Sequence, residues 1–132
     1  MECYREELFE GLFIRADLIP MGKDITLAVY GGDVPHVGSV VIAQPRQSLT
    51  GNGISATSSV YNLLGHKDEE VARAFAETLA KRWNCTVVCS CGIHVDGMKA
   101  EGIEKVRACC ERLLGKMADS RTQGCEIRQH EK

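Results

Sequence analysis

Five short segments of the sequence combine glycine with charged, imidazole or amide side chains. They span residues 21–24, 31–38, 44–46, 65–67 and 92–96. Glycine lets a ligand approach the backbone amides, while Lys, Arg and His supply hydrogen-bond donors. Segments that connect regular elements are also where ligands commonly bind on a rigid sheet. Each segment taken alone is nevertheless ordinary turn chemistry, so the pattern indicates a candidate ligand surface without identifying the ligand.

The titratable residues do not match a known catalytic or metal-binding spacing. His36, His66 and His94 come from three separate segments, and no spacing rule brings them together. The GxSxG, HExxH and Walker-type GxxxxGK[ST] motifs do not occur. We therefore predict no catalytic residue and no metal site. A metal-dependent enzyme that uses the three histidines stays open as an alternative.

Seven cysteines fit neither a zinc site nor a disulfide framework. Cys85, Cys89 and Cys91 fall in one apolar run, and Cys109 is followed directly by Cys110. Structural zinc sites usually use two pairs with short spacers. Apolar surroundings raise the pKa of a thiol and make it unreactive. We expect these cysteines to be small apolar residues of a strand and a helix.

Composition predicts one globular domain over residues 1–117, followed by a polar tail over 118–132. The chain has 132 residues, of which 44% are hydrophobic and 26% charged. Its net charge of −2 and its few aromatic residues (three Tyr, three Phe and one Trp) argue against nucleic acid as a partner. The sequence contains no pattern of a signal peptide or a membrane span, so we expect a cytoplasmic protein with no membrane partner.

The periodicity of apolar residues predicts strands first and helices later. Alternation such as Ile25, Leu27 and Val29 indicates strands. Helical spacing follows, with Asp68 as N-cap of the first helix and Gly115 as C-cap of the second. The second helix carries a stripe of Ile103, Val106, Cys110, Leu113, Leu114 and Met117. The predicted strands are 8–19, 24–30, 37–44, 54–63 and 85–91, and the predicted helices are 68–83 and 99–115.

The order ββββαβα predicts an α+β two-layer sandwich. The first strands form an antiparallel meander, the third strand is ended by Pro45, and residues 46–53 form a loop. The apolar run 85–91 is expected to be covered on both faces and to insert beside an existing strand. Both helices are then expected on one face of a mostly antiparallel sheet.

Four strings of the sequence resemble a known family. They are PMGKDITLAVYGGDVPHVGSVVIAQPR (20–46), GISATSSV (53–60), GHKDE (65–69) and VVCSCGIHVDG (87–97). Their combination resembles the LpdD-type prenylated-FMN chaperones, which accompany UbiD-type decarboxylases such as the gallate decarboxylase system. The resemblance covers residues 12–115. It implies a fold similar to that of proteasome assembly chaperones, and a homodimer.

The resemblance also implies a carrier rather than an enzyme. A protein of this kind is expected to bind reduced prenylated FMN, or FMN, and to deliver it to a UbiD-type decarboxylase. The phosphate needs cations, for which Lys23, Arg46 and Lys67 are candidates. The flavin edge needs polar groups, for which Asp33, His36, Gln44, His66 and His94 are candidates. The prenyl-derived ring needs an apolar wall, for which the candidates are Met21, Pro35, Pro45 and Ile93. Glycines allow the cofactor to approach the backbone closely, and the candidates are Gly22 and Gly92.

Two other functions fit the same sequence. The chain could be a structural or regulatory subunit of a decarboxylase complex that never contacts the cofactor. It could also be an enzyme, since relatives have been described as small decarboxylase subunits.

Overall fold

Within residues 1–63 and 68–121, which the structure describes, the chain forms a six-stranded sheet and two helices. The structure is a computed structural model. The strands are β1 (Glu2–Phe9), β2 (Leu12–Met21), β3 (Asp24–Gly32), β4 (Ser39–Gln47), β5 (Ile54–Asn62) and β6 (Val87–His94). The helices are α1 (Glu69–Trp83) and α2 (Ala100–Ala118). Neither of these helices has the length and apolar character needed to cross a membrane.

The strand order is β1-β2-β3-β6-β4-β5, so the last strand in sequence lies in the middle of the sheet. β6 runs parallel to β3 and antiparallel to β4, and the remaining neighbours are antiparallel. α1 packs on β4, β5 and β6, while α2 packs on β1 and β2. The predicted α+β class, the mostly antiparallel sheet and the inserted strand are confirmed.

One face of the sheet carries the core because apolar residues alternate in register across the strands. Leu27 of β3 pairs with Leu18 on one side and Cys89 on the other, and Cys89 pairs with Val41. All four side chains are 0% exposed. The helices complete this core with the buried stripe of α1, which includes Phe75, Leu79 and Trp83.

The prediction of one strand over residues 8–19 is wrong, because β1 and β2 form a hairpin there. The turn lies at Glu10 and Gly11, and Gly11 adopts a φ of +81°, which glycine tolerates best. β1 is an edge strand whose exposed positions include Cys3, Arg5 and Glu7, so its apolar alternation is weak. The observed order is therefore βββββαβα, with one strand more than predicted.

The structure also corrects the predicted ends of β4 and α2. β4 continues through Pro45 to Gln47, where the sequence predicted a loop. β4 pairs with β6 only as far as Ala43. Pro45 lies beyond this pairing, so its lack of an N–H removes no hydrogen bond to β6. α2 runs past Gly115 to Ala118, because Met117 and Ala118 are buried in the core and favour a longer helix.

β6 also differs from its prediction, since it spans Val87–His94 and only one face is covered. Val87, Cys89 and Cys91 point into the core, while Val88 and Ser90 on the other face are half-buried. No second layer of helices covers that face among the described residues. The apolar character of the run is explained by its central place in the sheet.

We expect Leu27→Ala to lower the free energy of unfolding by about 2–5 kcal/mol, because it opens a cavity beside Leu18 and Cys89. Leu49→Ala is the matched control, since Leu49 is 92% exposed; we expect a change of about 0.5 kcal/mol or less. Urea denaturation measures both. Equal midpoints for the two variants would contradict the assigned core.

Candidate functional site

The predicted site residues fall into two groups at opposite ends of the sheet. The first group follows the carboxyl ends of β3 and β6 and contains Asp33, Pro35, His36, Gly92, Ile93 and His94. The second lies at the β2–β3 turn and at the end of β4 and contains Met21, Gly22, Lys23, Gln44, Pro45 and Arg46. β3 has nine residues and connects the two ends; at about 3.3 Å per residue they are roughly 25 Å apart. His66 and Lys67 lie outside the described residues.

The second group is a set of exposed side chains on strand ends and a turn. Gly22 has a φ of +64° in the β2–β3 turn, and Met21 is 60% exposed. Arg46 donates from Nε to Thr57 Oγ1 at 2.8 Å, across the β4–β5 pair. Gln44 and Arg46 lie on the face of the sheet away from the helices. One cofactor bound to one protomer cannot contact both groups.

We call the end of the sheet that carries the first group the histidine end. Asp68, at the start of α1, lies at its centre. Its carboxylate is buried, with Oδ1 accepting a hydrogen bond from the backbone N–H of Ile93 at 3.0 Å. Oδ2 lies 3.1 Å from Nε2 of His36. The His36 ring is held on its other side, with Nδ1 3.1 Å from the carbonyl oxygen of Val34. Asp68 therefore ties together the start of α1, the end of β6 and the 34–38 segment.

Asp68 occupies the predicted N-cap position but does not cap the helix with its side chain. A capping carboxylate would accept from the first N–H groups of α1. Both oxygens instead point across to Ile93 and His36. Asp68, which the sequence predicts to cap its own helix, thus connects segments that are distant in the sequence.

Two glycines allow the 34–38 segment to approach this centre. A Cβ on Gly92 would lie 1.6 Å from the carbonyl oxygen of His36, and one on Gly38 would lie 2.0 Å from Asp68 Oδ2. Such distances are impossible for a real side chain. Gly92 was predicted to face the cofactor; it is buried beneath His36 and positions that residue instead.

A second network orients His94 at the same end of the sheet. His94 Nε2 lies 2.9 Å from Oδ1 of Asp96. The backbone N–H of Asp96 donates to Asp33 Oδ2 at 2.9 Å, and the N–H of Asp33 donates to the carbonyl oxygen of His94 at 2.7 Å. The segments after β3 and β6 are thereby connected, with the imidazole at the surface.

A cavity of about 630 Å³ lies between α1 and α2, closed at one end by residues 93–98. We call it the interhelix groove. Its apolar walls are Val71, Ala74, Phe75, Ile93, Val95, Met98, Ile103, Val106, Cys110 and Leu114. Its polar lining is Asp68, Glu70, His94, Arg107 and Glu111. The groove thus adjoins the histidine end through Asp68, Ile93 and His94.

One ion pair lies at the mouth of the groove. Glu70 of α1 and Arg107 of α2 form an ion pair across it, with 3.6 Å between Oε1 and NH2. Their side chains are 75% and 50% exposed. Deeper in the groove, burial raises the pKa of Cys110 to about 12, so its thiol is neutral. The neutral Cys110 contributes a wall rather than a nucleophile.

The buried cysteines of β6 also lack reactive character. Burial raises the pKa of Cys89 and of Cys91 well above the ordinary thiol value. In residues 1–63 and 68–121, no group of three or more His, Cys, Asp or Glu side chains is arranged to hold a metal ion. His66 of the proposed three-histidine site lies outside those ranges.

Sequence reasoning missed the part of the site that the helices supply. The sequence placed Ile103 and Val106 on the apolar stripe of α2 but did not show that Ile103 is 43% exposed and that both residues line the groove. Arg107 and Glu111 lie on the same face of α2 as this stripe, four residues apart. In the sequence, charged residues at helical spacing beside an apolar stripe indicated that this side of α2 is open to solvent.

Comparisons with known proteins identify a family. A family model described as the prenylated flavin chaperone LpdD-like domain matches residues 9–121. No curated protein matches the chain. One similar solved chain comes from the crystal structure of a chaperone complex for yeast 20S proteasome assembly. It is 10% identical in sequence, with a TM-score of 0.43, and the alignment covers 86% of this chain and 99% of that chain.

We expect Asp68→Ala to lower the free energy of unfolding by about 1–3 kcal/mol, because the part-buried N–H of Ile93 loses its acceptor. Asp68→Asn is the matched variant, since an amide oxygen can still accept from Ile93 while the amide nitrogen faces His36. Urea denaturation and hydrogen exchange at the Ile93 amide measure the difference. Equal losses for the alanine and asparagine variants would contradict the role of Asp68.

Proposed function

Because the chain belongs to the prenylated flavin chaperone LpdD-like family, we propose that it binds reduced prenylated FMN and delivers it to a UbiD-type aromatic acid decarboxylase. The family match over residues 9–121 is the observation that carries this proposal. The match includes the histidine end of the sheet and both walls of the interhelix groove. On this proposal the protein is a carrier and has no catalytic residue.

The geometry supports a carrier because the groove can shelter a molecule of cofactor size. Its volume of about 630 Å³ lies within the range of small-molecule sites. A reduced flavin reacts with oxygen, so shelter from solvent protects it during transfer. The Cys110 thiol in the wall is neutral and therefore a poor nucleophile toward a bound cofactor.

The histidine end supplies the polar groups that a flavin edge requires. Of the predicted candidates, Asp33, His36 and His94 lie there, with Pro35 and Ile93 beside them. Hydrogen bonds to Asp68 and Asp96 hold the two imidazoles in place. We assign cofactor binding to this end of the sheet. We assign no cofactor contact to the residues at the opposite end, which include Lys23 and Arg46.

We also propose a homodimer formed through the sheet face that the helices leave open. Ile19, Thr26, Val88 and Ile42 form one row across four neighbouring strands on that face. Ile19 and Ile42 are 47% and 46% exposed, and Tyr61 in the adjoining row is 70% exposed. An apolar row of this kind is stabilised by a second copy of the same surface.

We place the transfer in the cytoplasm. The cysteines Cys3, Cys89, Cys91, Cys109 and Cys110 are free thiols, which fits a reducing compartment.

We expect the protein, mixed anaerobically with reduced prenylated FMN, to retain the cofactor through gel filtration, because the groove and the histidine end enclose it. Flavin absorbance of the protein peak measures retention. Addition of the loaded protein to an apo-decarboxylase is expected to raise its activity above that given by free cofactor. Loss of the cofactor on the column, together with unchanged decarboxylase activation, would overturn the proposed function.

We expect a dimer mass by light scattering at micromolar concentration. Ile42→Arg is expected to shift the mass toward the monomer, because it places a charge within the proposed contact surface, beside Val88. Leu49→Arg is the matched control, since Leu49 is exposed at the β4–β5 turn away from that row. A monomer mass for the unaltered protein would contradict the dimer.

A further inference from the structure

The first half of α2 contributes no buried residue to the hydrophobic core. The fully buried residues of this helix are Cys109, Cys110, Leu113, Met117 and Ala118, which all belong to its second half. In the first half, Ile103 and Val106 line the interhelix groove, and Ile103 remains 43% exposed. This apolar wall therefore borders open space, although Val106 also packs against the edge of the core.

The opposite wall has the same character. Val71, Ala74 and Phe75 of α1 line the groove, and their spacing places them on one side of that helix. Ala74 is exposed although it lies within the wall. Because alanine is small, this position leaves the space that a ligand would fill. Met98 and Ile93 close the end nearest the sheet.

The charges around the groove exclude a phosphate from it. Asp68, Glu70 and Glu111 line the groove, and Arg107 is already paired with Glu70. A phosphate placed there would meet three carboxylates and one guanidinium, and this excess of negative charge would repel it where water is displaced. A neutral apolar group meets no such cost. The groove therefore suits the uncharged end of a ligand, with its polar end directed toward the histidine end or solvent.

We propose that the interhelix groove binds the apolar, prenyl-derived ring of the cofactor and thereby selects prenylated over unmodified FMN. The groove walls supply an apolar surface that can bury the prenyl-derived ring, which unmodified FMN lacks. Each added methylene in such a pocket changes affinity by roughly tenfold or more. This inference rests on the proposed function, and it adds to it the site and the basis of selectivity.

Ala74→Trp tests the proposal because it fills the groove from a position that is exposed and outside the core. We expect this variant to bind reduced prenylated FMN at least about tenfold more weakly, with a smaller preference over reduced FMN. Ala108→Trp is the matched control, since Ala108 is an exposed alanine of α2 that does not line the groove. The control is expected to bind as the unaltered protein does.

Ile103→Asp provides a second variant, which places a carboxylate in the groove without enlarging the side chain. It is expected to weaken binding of the prenylated cofactor in the same direction, and thermal melting confirms that each variant is folded. Anaerobic titration, followed by flavin absorbance and fluorescence, gives the dissociation constants for reduced prenylated FMN and for reduced FMN.

The outcomes separate the two proposals. Loss of affinity in Ala74→Trp and Ile103→Asp but not in Ala108→Trp supports the groove. Unaltered affinity in both groove variants overturns the groove while leaving the carrier function in place. No binding by the unaltered protein overturns the carrier function itself, and the groove assignment with it.

Discussion

The insertion of β6 between β3 and β4 determines where every other feature of this molecule lies. Because β6 runs parallel to β3, the carboxyl ends of the two strands meet at one end of the sheet. The segments that follow them are joined there by hydrogen bonds between Asp33, His94 and Asp96. Antiparallel pairing with β4 brings the 34–38 segment to the same end. The histidine end is thus a product of sheet topology.

The same insertion sets the direction of the helices. α1 leads from the histidine end back to the start of β6, and α2 leaves from the end of β6, so both helices run the same way. The two helices flank the groove, where the pair of Glu70 and Arg107 joins them. An exposed pair of this kind stabilises by only about 0–1 kcal/mol. The mouth is therefore held weakly, while the floor is fixed by Asp68 and the rigid sheet.

Local patterns in the sequence predicted the elements whose signals are local. The alternation at Ile25, Leu27 and Val29 and the helical spacing from Ala72 to Trp83 correspond to β3 and α1. β1 was missed because an edge strand with Arg5 and Glu7 at exposed positions has little apolar contrast. Strand order depends on contacts between distant residues, so the sequence could not show that Lys23 and His36 lie at opposite ends. Four strings of the sequence resembled a known family. The family match over residues 9–121 establishes that the chain belongs to it.

The open sheet face and the interhelix groove lie on opposite sides of the molecule, because the helices cover only one face of the sheet. Two copies that meet through the sheet faces would therefore turn their grooves outward, back to back. Such a pair is bivalent, with two loading sites that share no atoms. Each site can be approached by a large acceptor protein without separating the copies, and emptying one leaves the walls of the other unchanged.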